Sequence, residues 1–121
     1  MKKVLIVDDE PNIVISLEFL MAQNGFYVRT ARSGEEALEI VPEYKPDLIL
    51  LDVMLPFRSG FEVCQTLRAK KELKGMKILM LTAKGREADI ERGKAAGADD
   101  YIVKPFSTKE LVNKVRGFLG E

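Results

Sequence analysis

Asp8, Asp9 and Glu10 stand in a row directly after the apolar run Val4-Leu5-Ile6-Val7. One acid, Asp52, follows a second apolar run, Thr82 follows a third, and Lys104 follows a fourth. Taken singly, each has an ordinary reading: Asp9 or Thr82 as a helix cap, Lys104 as a solvated charge. Taken together, they sit at one and the same end of four separate apolar runs, and chance is a poor account of that. Clustered carboxylates repel and raise one another's pKa unless a cation lies among them. The chain has no His, so the cation must be one that accepts oxygen ligands: Mg²⁺, Mn²⁺ or Ca²⁺, with Mg²⁺ favoured because it also handles phosphate. A carboxylate can attack phosphorus and give an acyl phosphate. The transferring group carries its charge on equatorial oxygens, which a metal and a Lys neutralise and a Thr hydroxyl can hold. Phosphoryl transfer onto one of these carboxylates is the chemistry these residue types suit.

Positioning them requires strands that end at one rim. Lys3 to Val7 is a β-branched, continuous apolar run, as expected of a strand buried on both faces. Pro11 to Asn24 reads as a helix with Ile13, Val14, Leu17, Leu20 and Met21 on one face and Gly25 ending it. Phe26 to Ala31 reads as an edge strand with a polar face. Ser33 and Glu36 form a capping box for a helix whose core face is Ala37, Leu38 and Val41. Asp47 to Leu51 is a third strand, and Arg58 to Lys71 a third helix with Gly60, Val63, Cys64 and Leu67 inward. Lys77 to Leu81 is a fourth strand. Arg86 to Ala96 is a poor helix, weakened by Gly85, Gly93 and Gly97. Tyr101 to Val103 is a short fifth strand. Ser107, with Glu110 three residues on, caps a last helix with Leu111, Val112, Val115, Phe118 and Leu119 on its face. Five strand–helix units predict an α/β fold, a doubly wound parallel sheet with helices on both faces. In such sheets the active crevice lies outside the carboxyl ends of the strands, where the four polar groups fall.

The 121 residues make one domain, 1–121, with no linker or repeat. Lys plus Arg and Asp plus Glu are 19 each, a balance that argues against nucleic acid as a direct contact of this domain. No apolar run is long enough to cross a bilayer, and no targeting segment is read. The single Cys64 allows no internal disulfide and fits a reducing compartment; on an apolar helix face it reads as a small buried hydrophobe.

The segments VLIVDDE (4–10), LILLDVMLPFRSG (48–60), ILMLTA (78–83) and GADDYIVKPF (97–106) resemble the receiver domains of response regulators, in order and at the matching strand ends. The resemblance implies the flavodoxin-like (βα)5 sheet with strand order 2-1-3-4-5. It implies that Asp52 is phosphorylated and that Asp8, Asp9 and Asp52 hold Mg²⁺ (or Mn²⁺), with the main-chain carbonyl of Met54 as a further ligand. Thr82 and Lys104 would contact the phosphoryl group, Tyr101 would be the switch aromatic, and Lys104-Pro105 a cis peptide. Met54 and Arg58 would flank the acceptor. The domain would be a switch that catalyses only its own phosphorylation and dephosphorylation, cytoplasmic, with a sensor histidine kinase as donor and an effector domain or downstream protein as target. The pattern is nearest to receivers joined to winged-helix DNA-binding effectors, in which charges on the fourth helix, fifth strand and fifth helix pair across a two-fold axis on phosphorylation. Arg92, Asp100, Glu110 and Lys114 fit that scheme, with Asp99 and Arg116 beside them; Ala95 departs from it.

Three rivals are separable. An FMN carrier of the same fold needs a Ser/Thr/Gly-rich phosphate loop where this chain has Asp8-Asp9-Glu10. A haloacid-dehalogenase-type phosphatase needs an acid two residues after its nucleophile, and Met54 stands there. A pseudo-receiver would lack an acid, the Thr or the Lys, and none is missing.

Overall fold

The computed structural model describes residues 1–83 and 86–121; Gly85 lies outside them. Each apolar run becomes a strand: β1 (Lys3–Val7), β2 (Tyr27–Ala31), β3 (Leu48–Asp52), β4 (Lys77–Ala83) and β5 (Asp100–Lys104). They pair in parallel in the order β2-β1-β3-β4-β5. The helices between and after them are α1 (Pro11–Gln23), α2 (Gly34–Tyr44), α3 (Gly60–Arg68), α4 (Glu87–Ala96) and α5 (Thr108–Leu119). This is the doubly wound, flavodoxin-like α/β fold.

Alternate residues of the central strands feed two separate cores, because successive side chains of a strand point to opposite faces. Leu5, Val7, Ile49 and Leu51 pack on α2, α3 and α4, through Ala37, Val41, Val63, Cys64, Leu67 and Ala96. Val4, Ile6, Leu48, Leu50, Leu79 and Leu81 pack on α1 and α5, through Leu17, Met21, Leu111, Val112 and Val115. Each fully buried Leu or Ile stabilises by about 1.5–3 kcal/mol, so a one-residue slip of a central strand, which exchanges its two faces, is strongly resisted. At the edge, β2 shows the alternation expected of it: Tyr27 and Arg29 exposed, Val28 and Thr30 half-buried.

Local signals set most helix ends. Ser33 Oγ accepts from Glu36 N at 3.1 Å, while Glu36 Oε1 accepts from Arg32 N at 2.8 Å, one residue ahead of the cap. Ser107 Oγ accepts from Glu110 N at 3.3 Å. Gly25 takes φ +89°, and Phe26 N returns to Met21 O at 3.1 Å, closing α1.

Two expectations need correction. The third helix does not run from Arg58 to Lys71. Ser59 caps it, its Oγ accepting from Glu62 N at 3.3 Å, and it ends at Arg68, before a short 3-10 turn at Lys71–Leu73. In α2 the core face includes Ile40, whereas Leu38 is only half-buried.

The amino-terminal edge of the sheet is tied by Arg68. Its guanidinium donates to the carbonyls of Gly97 (2.8 Å) and Met76 (2.6 Å) and meets Asp99 Oδ2 at 2.5 Å; Asp99 in turn accepts from Ile78 N at 2.8 Å. Gly97 has φ +104°, and a Cβ there would come within 2.6 Å of Arg68 Cγ, so this end of α4 requires glycine.

Candidate functional site

Strand register gathers the site. Val7 pairs with Leu51, Asp52 with Leu81, and Ala83 with Lys104. Asp8 and Asp52 therefore stand level at the carboxyl edge, Thr82 one residue and Lys104 two residues further along.

Asp8 is fully buried. Its Oδ1 accepts from Glu10 N at 3.0 Å and its Oδ2 from Lys104 Nζ at 2.9 Å. Asp52, the last residue of β3, is 6% exposed. Its Oδ1 accepts from Met54 N at 3.2 Å and lies 3.5 Å from Lys104 Nζ. Asp9 is exposed and points its carboxylate at the other two: Asp8, Asp9 and Asp52 each offer an oxygen within 4.8 Å of the others. Burial, and then the charge of Asp8, push the Asp52 carboxyl up to about 6, against the opposing pull of Lys104 and the Met54 N–H. Burial works against the Lys104 charge, but the carboxylates of Asp8 and Asp52 outweigh it and hold the ammonium above its ordinary range. A buried acid forced toward its neutral form marks a site short of positive charge. Three convergent carboxylate oxygens are a donor set suited to a hard divalent cation.

Thr82, at the end of β4, is 2% exposed, and its hydroxyl has no hydrogen-bond partner among the described residues. A cavity of about 10 Å³ separates it from Tyr101, with Met80, Ile90 and Gly93 as further walls. Tyr101 is half-buried; Lys114 Nζ lies 5.2 Å from its ring centre and donates to its carbonyl at 2.9 Å. The Lys104–Pro105 peptide is cis. Gly60 packs on β3 so closely that a Cβ would fall 2.1 Å from the Asp52 carbonyl oxygen.

Other residues stand elsewhere than the sequence suggested. Arg58 pairs with Glu35, 2.7 Å away at the start of α2. Several charges of the expected dimer face have partners within the one chain. The Arg92 guanidinium lies 4.3 Å from the ring centre of Phe61, which places it on the α3 side of α4 and not on the β5 side. Asp99 is held by Arg68, and Arg116 donates to the carbonyl and side-chain oxygens of Asn24, both at 3.2 Å. Asp100 and Lys114 pair within the one chain at 3.3 Å. Of the six charges, Asp100, Glu110 and Lys114 remain on a common surface, beside a groove of about 660 Å³ along β5 and α5. Cys64 is buried, and burial pushes its thiol up to about 11, so it acts as an apolar residue.

Sequence reasoning missed Arg86 and Asp89. Asp89 is nearly buried on α4, 3.2 Å from Arg86 Nε. Phe57 was also missed: it has φ +67°, is wholly exposed, and is spanned by a 2.7 Å bond from Arg58 N to Pro56 O. Neither pair nor strain has a local signature beyond an i, i+3 charge spacing.

Fold and site define a class: an open parallel sheet with an acidic, cation-suited crevice and a Lys at its switch point. The family model for the response regulator receiver domain matches residues 4–116, and the chain belongs to that family. It is a receiver domain of the two-component kind, a phosphorylation switch. Among solved structures, it is similar to a protein of Chloroflexus aurantiacus described as a response regulator, at 40% identity over 99% of this chain and 98% of that one, TM-score 0.95. It is similar to the chemotaxis response regulator CheY4 of Vibrio cholerae, at 35% identity over 98% of each chain, TM-score 0.92. It also resembles the signal receiver domain of a signal transduction histidine kinase from Syntrophus aciditrophicus, at 30% identity over 99% of this chain and 91% of that one, TM-score 0.92.

Proposed function

We propose that Asp52 accepts the phosphoryl group. The observation that carries this is the placement of its buried carboxylate, with the oxygens of Asp8 and Asp9 within 4.8 Å and the Lys104 ammonium at 3.5 Å. An Asp52 oxygen attacks phosphorus, the bond from phosphorus to the donor atom breaks, and its electron pair leaves with the donor. Lys104, now shared between Asp8 and Asp52, can turn to a phosphoryl oxygen. The unpartnered Thr82 hydroxyl can donate to another. Drawing Thr82 toward the new group widens the small cavity behind it, and Tyr101 fills that space, which biases α4 and β5. Mg²⁺ would be held by Asp8, Asp9, Asp52 and the main-chain carbonyl of Met54, and when bound it supplies the positive charge that lets anions approach one another. Mn²⁺ has the same ligand preference.

Residues 1–121 act as this one receiver domain. The donor is a sensor histidine kinase or a small phosphodonor, and the output is an effector domain or a separate target protein, met through the β5–α5 face that keeps Asp100, Glu110 and Lys114. A homodimer formed on phosphorylation would use that face. Among the described residues no helix is long and apolar enough to cross a membrane, and a cytoplasmic site of action suits a partner of kinases.

Incubation with acetyl phosphate and Mg²⁺, followed by intact mass, tests the central assignment. One added phosphoryl group is expected, absent in Asp52→Asn. An adduct of equal yield in that variant overturns it.

A further inference from the structure

Beside the acceptor a cleft of about 470 Å³ opens between the β3–α3 loop and α4. Asp9, Met54, Pro56, Phe61, Arg86 and Arg92 are among its walls. Its two guanidinium groups are not equivalent. Arg86 is neutralised by Asp89, with Nε 3.2 Å from Oδ2. Arg92 has no carboxylate within 4.0 Å among the described residues and lies instead over the Phe61 ring at 4.3 Å. Phe61 is itself buried in the core, so the ring is a fixed platform. A guanidinium lying over an aromatic face keeps its N–H groups directed outward from its edge. The cleft thus presents an oriented cation with no ion-pair partner among the described residues, with the exposed Asp9 carboxylate also in its wall, in a space that takes a small organic anion.

We propose that this cleft receives the carboxylate half of an acyl phosphate donor and that Arg92 is the residue that binds it, a reading that rests on Asp52 as acceptor. In the step, an Asp52 oxygen bonds to phosphorus while the phosphorus–oxygen bond to the acyl group breaks. The electron pair remains on that oxygen, so a carboxylate anion leaves and the aspartyl phosphate remains. Negative charge grows on the departing oxygen as the bond lengthens, and Arg92 stabilises that charge more in the transition state than in the ground state. An N-phosphoryl donor leaves as a neutral amine or imidazole and draws no such help. Arg92 therefore sets donor class: it favours acyl phosphates over N-phosphoryl compounds.

The experiment compares labelling rates with acetyl phosphate and with phosphoramidate at saturating Mg²⁺, in the wild type, Arg92→Gln and Arg92→Lys. The ratio of the two rates is the readout, and the phosphoramidate labelling also reports that each variant is folded. Loss of one charge-assisted contact in this partly solvated cleft lowers the ratio about tenfold in Arg92→Gln, and Arg92→Lys, which keeps the charge, recovers part of it. If Arg92 only covers the Phe61 ring, both rates move together and the ratio stays at the wild-type value, which overturns the proposal. Failure of both donors to label the wild type would instead remove the phosphoacceptor reading itself.

Discussion

Lys104 stands nearer to Asp8 than to Asp52: its Nζ is 2.9 Å from Asp8 Oδ2 and 3.5 Å from Asp52 Oδ1. Asp8 is fully buried, so without metal this ammonium is its one charged partner among the described residues. Removing one member of a buried pair leaves an uncompensated charge. Lys104→Met is therefore expected to lose about 2–4 kcal/mol in urea unfolding at pH 7 with EDTA. Added Mg²⁺ recovers part of the loss by binding the folded state. A loss under about 0.5 kcal/mol in EDTA, the size of an exposed pair, would show that the contact carries no such weight.

Asp52 makes the metal-free domain sensitive to pH. Its folded pKa is raised to about 6, by burial first and by Asp8 second. An acid with a raised folded pKa binds its proton more tightly in the folded chain. Its contribution to stability is present below about pH 4 and lost as pH rises through about 6. Asp52→Asn removes the ionisation. In EDTA at pH 8 the variant is expected to exceed the wild type by up to about 3 kcal/mol, two pKa units at about 1.4 kcal/mol each. By pH 4 the difference closes. Denaturant midpoints at the two pH values give the answer, and a variant advantage that grows on acidification contradicts it.

Phe57 spends backbone energy without return from its side chain. A non-glycine residue in the left-handed region costs about 1–2 kcal/mol, and this ring is fully exposed. Phe57→Gly removes the strain but adds freedom to the unfolded chain. The net gain is expected at about 0.5–1 kcal/mol, read as a rise of a few degrees in Tm. A fall in Tm means the ring has a folded-state contact.

Gly60 is fixed by contact, not by conformation. A Cβ there would sit 2.1 Å from the Asp52 carbonyl oxygen and 2.9 Å from Val53 Cα, both backbone atoms that cannot rotate aside. Gly60→Ala is expected to destabilise by about 1–3 kcal/mol, as overpacking does, and to slow labelling of Asp52 by displacing the end of β3. Unchanged stability together with unchanged labelling contradicts the contact.

The parts of this molecule that read correctly from sequence are those written locally. The strand runs, the caps Ser33 and Ser107 with their Glu partners, and the polar residues at the strand ends all declare themselves within a few positions. Ser59 with Glu62 carries the same local signature, masked because Arg58 before it is a good helix former. The seat of Arg92 over Phe61 was not legible because α4 has little apolar periodicity: its buried positions are Asp89, Gly93 and Ala96, which give a weak bearing on the helix's rotation. Arg68 depends on carbonyls as far along as Gly97 and on Asp99, contacts 29 and 31 residues away. The unpartnered Thr82 hydroxyl is likewise a property of the packed pocket.

The unequal anchoring of α4 makes it a lever with a pivot. At Gly97 the chain is pinned by Arg68, and just beyond it Asp99 is bonded to Ile78 through both main chain and side chain. At the other end no side chain caps the helix, and the Arg86–Asp89 pair lies within its own first turn. Translating α4 as a body would break the Arg68 knot, whereas a rotation about Gly97 would leave it intact. The ten residues span about 15 Å, so a tilt of about 10° carries the free end about 2.5 Å, while the pinned end stays in place. In such a rotation the displacement would be largest beside the acidic rim and would fade along the helix toward Gly97.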